Sequence, residues 1–373
     1  MSAIRTAVVI GGGIAGPVAA LALRKAGIEA TVFEAYDTPA DDVGGTLAIA
    51  PNGLAALEIV GAADAVRAVS HRGDRQIMSI GRRMVELPGP GALHVIRRSD
   101  LHRILRDRAG VIPGRRLISA SDRDGQVTAT FADGHTATAD VLIGADGVHS
   151  TVRRLIDPNA PGPRYTGMIG LEGHSTAEVP APPGTMTFAF GKRAYYLYWP
   201  AAGGGTMFGI NLPRPAGFTT DDWPALLREV YGDDSPGAEL IAHADQLQVN
   251  GPLHIMPPVP RWHRGRMVLT GDAVHAPSNS SGQGASLAIE SAIVLARCLR
   301  DETTVERAFR AYESRRRPRV EAIAAQAAKI NHAKVPGPVA RALLPYVMPL
   351  FLRLAGGTGK TLRYRIDWAE PVR

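Results

Sequence analysis

The chain has 373 residues, 45% hydrophobic and 21% charged, the make-up of a soluble globular protein with room for two domains. No run of about 18 apolar residues could span a membrane, no leader peptide opens the chain, and the single cysteine, Cys298, excludes an internal disulfide; these are the features expected of a cytoplasmic enzyme. The net charge of +7 comes from 37 Arg against 5 Lys, scattered along the chain, which points away from nucleic acid; the one cluster, Arg315-Arg316-Arg317-Pro318-Arg319, is expected to be a solvated helix face.

Val8-Val9-Ile10 reads as an apolar strand running into Gly11-Gly12-Gly13-Ile14-Ala15-Gly16, a G-x-G-x-x-G turn that opens a small-residue helix. Gly11 permits the tight turn, Gly13 lets a pyrophosphate approach the backbone, and Gly16 lets helix and strand pack closely. Thr31-Val32-Phe33-Glu34 reads as the next strand, ending in a ribose-binding acid. Pro51-Asn52-Gly53 starts a helix through about residue 69. Residues 76–87 form a short hairpin, an excursion into a second domain. Ser99-Asp100 caps a helix that runs to Ala109. Strands with turns at Asp124-Gly125 and Asp133-Gly134 lead into 140–143.

From about 166 to 256 helical patterns become scarce. Segments 186–190, 193–199 and 206–212 read as neighbouring strands, followed by short helices near 222–231 and 236–244. The expected fold class is α/β: a dinucleotide-binding domain carrying an inserted, mainly antiparallel β-sheet domain. Helix-and-strand grammar returns at 266–270, with long helices over 284–300 and 303–332. Cys298 lies in the first of these, where core packing is expected. Residues 336–355 hold an apolar helix interrupted by Pro345 and Pro349, expected to pack across the domains and not to insert stably in a membrane.

Two further motifs narrow the reading. One is Val141-Leu142-Ile143-Gly144-Ala145-Asp146-Gly147, followed by Val152-Arg153. The other is Met267-Val268-Leu269-Thr270-Gly271-Asp272-Ala273-Val274-His275, continuing through Ser281-Gly282-Gln283-Gly284-Ala285 into a helix. With the first glycine turn, Glu34 and Ile96-Arg97-Arg98-Ser99, they resemble the FAD-dependent aromatic-hydroxylase family, the single-component flavoprotein monooxygenases. The resemblance spans nearly the whole chain.

It implies a Rossmann-like FAD-binding domain over 1–75, 94–165 and 258–335, a substrate domain over 76–93 and 166–257, and a C-terminal helical segment over 336–373. Implied cofactor contacts are Gly11, Gly13, Ile14, Ala15, Gly16, Glu34, Gly45, Thr46, Arg98, Asp146, Asp272, Gly282, Gln283, Gly284 and Ala285. The Gly282–Gly284 turn would offer a helix N-terminus to the flavin's pyrimidine edge. Asp146 also reads as a turn residue that only shapes the fold.

The activity implied is NAD(P)H- and O2-consuming hydroxylation of an apolar aromatic or polycyclic small molecule through a flavin C4a-hydroperoxide, by a monomer or homodimer. Epoxidation and Baeyer–Villiger oxidation remain open from the same chemistry, as do a reductase and a non-catalytic flavin-binding protein. Candidate substrate contacts are Tyr196, Tyr198 and Phe188 on the inserted sheet, with domain core as the alternative for these aromatics. Asn279 stands where the family carries a proline beside the flavin's reactive edge. It reads as a loop-closing residue or as an amide that bonds substrate. His275 is expected to be structural. The stretch Asp41–Thr46 holds no arginine, which leaves NADH and NADPH both open.

Overall fold

The computed structural model describes residues 4–38, 45–80, 83–87, 91–179, 181–332 and 359–372. The first βαβ unit is β1 (Thr6–Ile10), α1 (Ala15–Lys25) and β2 (Glu29–Phe33), with β1 and β2 parallel. α1 lies close on β1 because its contact face is Gly and Ala. A Cβ on Gly16 would sit 1.9 Å from the Gly11 carbonyl oxygen.

Next come β3 (Thr46–Ile49), α2 (Pro51–Ile59), α3 (Ala63–Val69), β4 (His71–Gly73), β5 (Arg75–Ile80), β6 (Arg83–Glu86), β7 (Leu93–Arg97), α4 (Arg98–Ala109) and β8 (Val111–Ile112). The single helix expected from Pro51 is thus two. Gly61, at φ 69°, occupies the break, in the left-handed region that glycine enters without strain. α4 starts one residue before Ser99, at an Arg97 cap with no side-chain bond, so Ser99 and Asp100 do not cap it.

β9 (Leu117–Arg123), β10 (Gln126–Phe131) and β11 (Thr136–Ala139) form a meander that delivers β12 (Val141–Gly144) and α5 (Thr151–Ile156). Then follow β13 (Arg164–Ser175), β14 (Thr185–Phe190), β15 (Tyr195–Pro200), β16 (Thr206–Pro213), α6 (Trp223–Tyr231), α7 (Gly237–Ala242) and β17 (Ala244–Ile255). The chain closes with β18 (His263–Arg264), β19 (Met267–Leu269), α8 (Gly284–Asp301), α9 (Val305–His332) and α10 (Gly359–Leu362). The apolar helix expected over 336–355 lies outside the described residues.

Two sheets organise these elements. The first has the order β18-β19-β12-β1-β2-β8 and is parallel except at its β18 edge. Its strands are nearly continuous Val, Ile and Leu because helices cover it. Buried Leu287, Ile289, Ile293 and Leu295 on α8 join its core, each contributing about 1.5–3 kcal/mol. The second has the order β17-β13-β16-β15-β14-β5-β6 and is antiparallel except where β14 meets β5. The 75–86 hairpin is therefore part of the inserted sheet, as its sequence suggests.

Candidate active site

The carboxyl ends of β1, β12 and β19 converge, the place where open parallel sheets bind ligands. Each ends in a glycine loop that opens on one cavity of about 1900 Å³. Gly11 has φ 111°, and a Cβ there would lie 2.3 Å from the Ala145 carbonyl oxygen, so the β1 loop tolerates only glycine. At Gly13, Gly282 and Gly284 an added Cβ would meet no atom within 4 Å. Bare backbone faces open space at all three. α1 and α8 both begin here without a side-chain cap, leaving their first N–H groups free towards the cavity. Ile14, Ala15, Gly45, Thr46 and Ala285 line the same wall.

The acids divide into two kinds. The Glu34 carboxylate accepts from Gly12 N (2.6 Å) and Tyr36 N (3.1 Å), bracing the glycine loop. The Asp146 carboxylate accepts from Ser150 Oγ, Thr151 N (2.7 Å) and Val152 N (3.1 Å), so it holds the start of α5. Both of its oxygens serve the fold, as the turn-residue reading allowed. Asp272 instead turns a carboxyl with no hydrogen-bonding partner among the described residues towards the cavity. It is open to that space yet enclosed by protein, and burial pushes it up to about 6 against the opposing field of Arg98. Arg98 also lines the cavity, and no described residue accepts a hydrogen bond from its guanidinium. Gln283 is 5% exposed and its Oε1 has no hydrogen-bonding partner among the described residues.

The opposite wall is one face of the inserted sheet. Cross-strand register places Met186, Phe188 and Phe190 beside Tyr195, Leu197 and Trp199, and these beside Gly209 and Asn211. Gln76 and Met78 extend the face through β5. Leu93, Val95 and Leu362 close its apolar end. Phe188 is therefore on the cavity, but Tyr196 and Tyr198 are not. They alternate to the other face, where Phe208, Ile210, Leu227 and Tyr231 cover them, and Tyr196 meets Tyr231 edge-on at 5.2 Å. Helices α6 and α7 supply that cover.

Asn279 sits on the 3-10 turn Asn279–Ser281 and donates through Nδ2 to Asn211 Oδ1 at 2.7 Å. The bond ties the loop before Gly282 to the inserted sheet. Asn211 and Glu172 are cavity residues that the sequence reading missed. Glu172 is the one acid in the otherwise apolar run 168–173, and its place in the strand alternation was the available signal.

The model of the FAD binding domain family matches residues 5–195 and 225–327. The chain belongs to this FAD-binding family. It is 32% identical over 352 residues to the FAD-dependent urate hydroxylase of Klebsiella pneumoniae subsp. pneumoniae, covering 88% of this chain and 91% of that one. It is 32% identical over 347 residues to the 3-amino-4-hydroxybenzoate 2-monooxygenase of Streptomyces cremeus, covering 86% of each. The crystal structure of Klebsiella pneumoniae HpxO complexed with FAD and uric acid matches with a TM-score of 0.85 at 27% identity over 97% of both chains. This FAD-binding family member is a flavoprotein monooxygenase, and NAD(P)H is the usual reductant of its family.

The cavity of this flavoprotein suits its cofactor. Its volume is about twice the upper end of ordinary small-ligand pockets, enough for a dinucleotide and a second molecule. The uncapped N-terminus of α1 fits an anionic pyrophosphate, and the bare turn before α8 fits a flat ring edge.

Behind the site lies a buried ionic hub. Glu290 and Arg316 are both fully buried and pair at 2.8 Å. Glu290 also accepts from Arg319 at 2.8 Å and from Asn52 Nδ2 at 2.6 Å. Burial pushes Glu290 upward, but Arg316 and Arg319 outweigh it and hold the carboxyl below its ordinary value. Arg317 bonds Glu313 and lies over Trp262 at 5.0 Å. The arginine cluster is therefore an internal clamp and not a solvated face. His275 is buried, shares a 2.8 Å bond with Ser291 Oγ, and is pushed down to about 3 by burial and by Arg316. It is neutral and structural. Cys298 is fully buried in the core, its thiol pushed up to about 12 by burial.

Proposed function

We propose that the protein hydroxylates an apolar aromatic small molecule with FAD, NAD(P)H and O2, acting in the cytoplasm as a monomer or homodimer. One observation carries the reading: two uncapped helix N-termini and an aromatic sheet face open on the same cavity. Gly13 and the first turn of α1 hold the pyrophosphate, Gly11 shapes the turn, Gly16, which does not line the cavity, packs α1 on β1, and Glu34 braces that loop beside the ribose. Asp272 accepts from the ribityl hydroxyls while Arg98 meets the phosphate chain. Gly282, Gln283 and Gly284 present N–H groups to the flavin's pyrimidine edge, where the α8 dipole favours added negative charge by about 1 kcal/mol.

Bound FAD supplies hydride acceptance from NAD(P)H and activation of dioxygen. The chain's own task is to hold the substrate ring against the cofactor and keep water out. Phe188, Leu197 and Trp199 do this from the sheet, and the Asn279–Asn211 bond keeps the loop against it. Support for an aromatic substrate comes from this lining together with the relatives' named substrates. The test is anaerobic and aerobic titration of the FAD-loaded protein with NADH and NADPH over a panel of uncharged phenols and polycyclic aromatics. Substrate-stimulated oxidation with an oxygenated product is expected. A protein that takes up no FAD, or that never yields such a product, would refute the proposal.

A further inference from the structure

The mixed polarity of the cavity wall says more about the substrate. Along the sheet side the apolar groups Met78, Met186, Phe188, Leu197 and Trp199 are interspersed with the neutral polar groups Gln76, Tyr195, Asn211 and Asn250, and one carboxylate stands among them. That carboxylate is Glu172 on β13, directly opposite Gly209 across the register and so next to Leu197. Gly209 raises no side chain between Glu172 and the chamber. Glu172 is half-buried, and its Oε2 accepts from Thr46 N at 2.7 Å. Thr46 belongs to β3 in the cofactor lobe, so this bond fixes the carboxylate where the two lobes meet.

An ionised carboxylate has room for about four hydrogen bonds. Among the described residues, Thr46 N–H is the one donor that reaches Glu172, and nothing donates to its Oε1. The other acids on this cavity differ. Glu34 and Asp146 have both oxygens engaged by the chain, Asp272 lies on the opposite wall beside Arg98, and Asp37 and Asp107 belong to the cofactor lobe and not to the sheet. The arginines that line the cavity, Arg98, Arg106, Arg115 and Arg116, all belong to the cofactor lobe. On the described sheet face, a half-buried negative charge with an open acceptor therefore stands among apolar groups and neutral amides, Asn250 the nearest, with no cationic side chain beside it. A carboxylate in such surroundings favours a donor and disfavours a second anion.

We propose that Glu172 orients the substrate by accepting a hydrogen bond from an O–H or N–H on the reacting ring, and that the substrate is an uncharged or cationic donor-bearing aromatic, not an aromatic carboxylate. This rests on the hydroxylase reading above and narrows its substrate class.

The test uses three bicyclic probes: 2-naphthol, its methyl ether, and 6-hydroxy-2-naphthoate. Binding to the FAD-loaded protein is followed both by quenching of tryptophan fluorescence and by perturbation of the flavin spectrum. The parent should bind 2-naphthol about tenfold more tightly than the methyl ether, the worth of a hydrogen bond to a charged acceptor. It should bind the naphthoate weakest. Glu172→Gln keeps an acceptor for Thr46 N–H, so the fold is retained. It should lose most of the naphthol preference, leave the methyl ether unchanged, and improve the naphthoate. Glu172→Asp, which withdraws the charge by one methylene, should lose the naphthol preference but still reject the naphthoate.

Equal affinities for naphthol and methyl ether in the parent, equal weakening of both in the variants, or no saturable binding by any probe would overturn the assignment. A change in FAD affinity in place of naphthol affinity would do the same. Failure of the parent to take up FAD would instead sink the hydroxylase reading, and the tryptophan signal reads the Glu172 contact independently of it.

Discussion

Replacing Glu290 by Gln should destabilise the fold far more than a surface charge change. Glu290 and Arg316 are both fully buried at 2.8 Å, and Arg319 and Asn52 converge on the same carboxylate. Removing one partner of a buried ion pair leaves the other charge desolvated, at a cost of about 3–5 kcal/mol. For 373 residues, an unfolding entropy of about 2.1 cal/mol/K per residue gives about 0.8 kcal/mol/K, so the expected fall in Tm is about 4–6 °C. The assay is differential scanning calorimetry of the FAD-loaded parent and variant at one FAD concentration. A second variant isolates the cause. Glu290→Leu combined with Arg316→Met removes the fully buried pair, keeps apolar bulk, leaves the partly exposed Arg319 on the Thr361 carbonyl, and should recover part of the loss. A drop in Tm of less than about 1 °C for Glu290→Gln, or a double variant worse than the single one, would refute the claim that an uncompensated buried cation sets the cost.

Asp272→Asn should weaken FAD binding about 10- to 100-fold, the value of hydrogen bonds to a charged acceptor, with little change in apoprotein Tm. Because burial raises the Asp272 carboxyl from 3.8 to about 6, its ionisation opposes folding, so this group's contribution to apoprotein stability falls as pH rises from about 4 through 6. FAD affinity should rise over the upper part of that interval, and the Asn variant should flatten both trends. Gly13→Val should abolish FAD uptake while leaving Tm near the parent, whereas Gly16→Val should lower Tm itself, because its Cβ would sit 1.9 Å from the Gly11 carbonyl oxygen; matched effects in the two variants would show that the glycines do not differ in role. Asn279→Ala removes the 2.7 Å bond to Asn211. It should leave FAD affinity intact and raise the hydrogen peroxide formed per NAD(P)H oxidised. An unchanged ratio of product to NAD(P)H would leave that bond without a part in keeping the chamber closed.

The glycine turns and the strands feeding them were legible because their requirements are local. Gly11 needs a positive φ and Gly16 needs contact with its own strand, and both demands are written within ten residues. The hairpin at 75–86 and the run of strands from 185 to 213 were legible for the same reason. The faces of β15 were not. Alternation separates Tyr195, Leu197 and Trp199 from Tyr196 and Tyr198, but which set is covered depends on α6 and α7, which come later in the chain. The arginine cluster misled for a related reason. Glu290, which neutralises Arg316 and Arg319, lies on another helix more than twenty residues away, so the local pattern looks like a surface. Asp146 was half legible. Its place before Gly147 at the end of a strand allowed a turn role, and the structure spends its oxygens on the start of α5.

Strand β15 carries two separate jobs on alternate residues, and this shapes how the enzyme can be re-engineered. Tyr195, Leu197 and Trp199 touch the chamber, while Tyr196 and Tyr198 hold the sheet to its helices. A mutant library restricted to the odd positions, with Met186 and Phe188 on the neighbouring strand, can recut the chamber without entering the second core. The same diversity placed one residue out of phase would leave the chamber's shape nearly untouched and would fill the library with unfolded members. Codon choice along six residues therefore decides whether a screen explores substrate scope or merely samples stability.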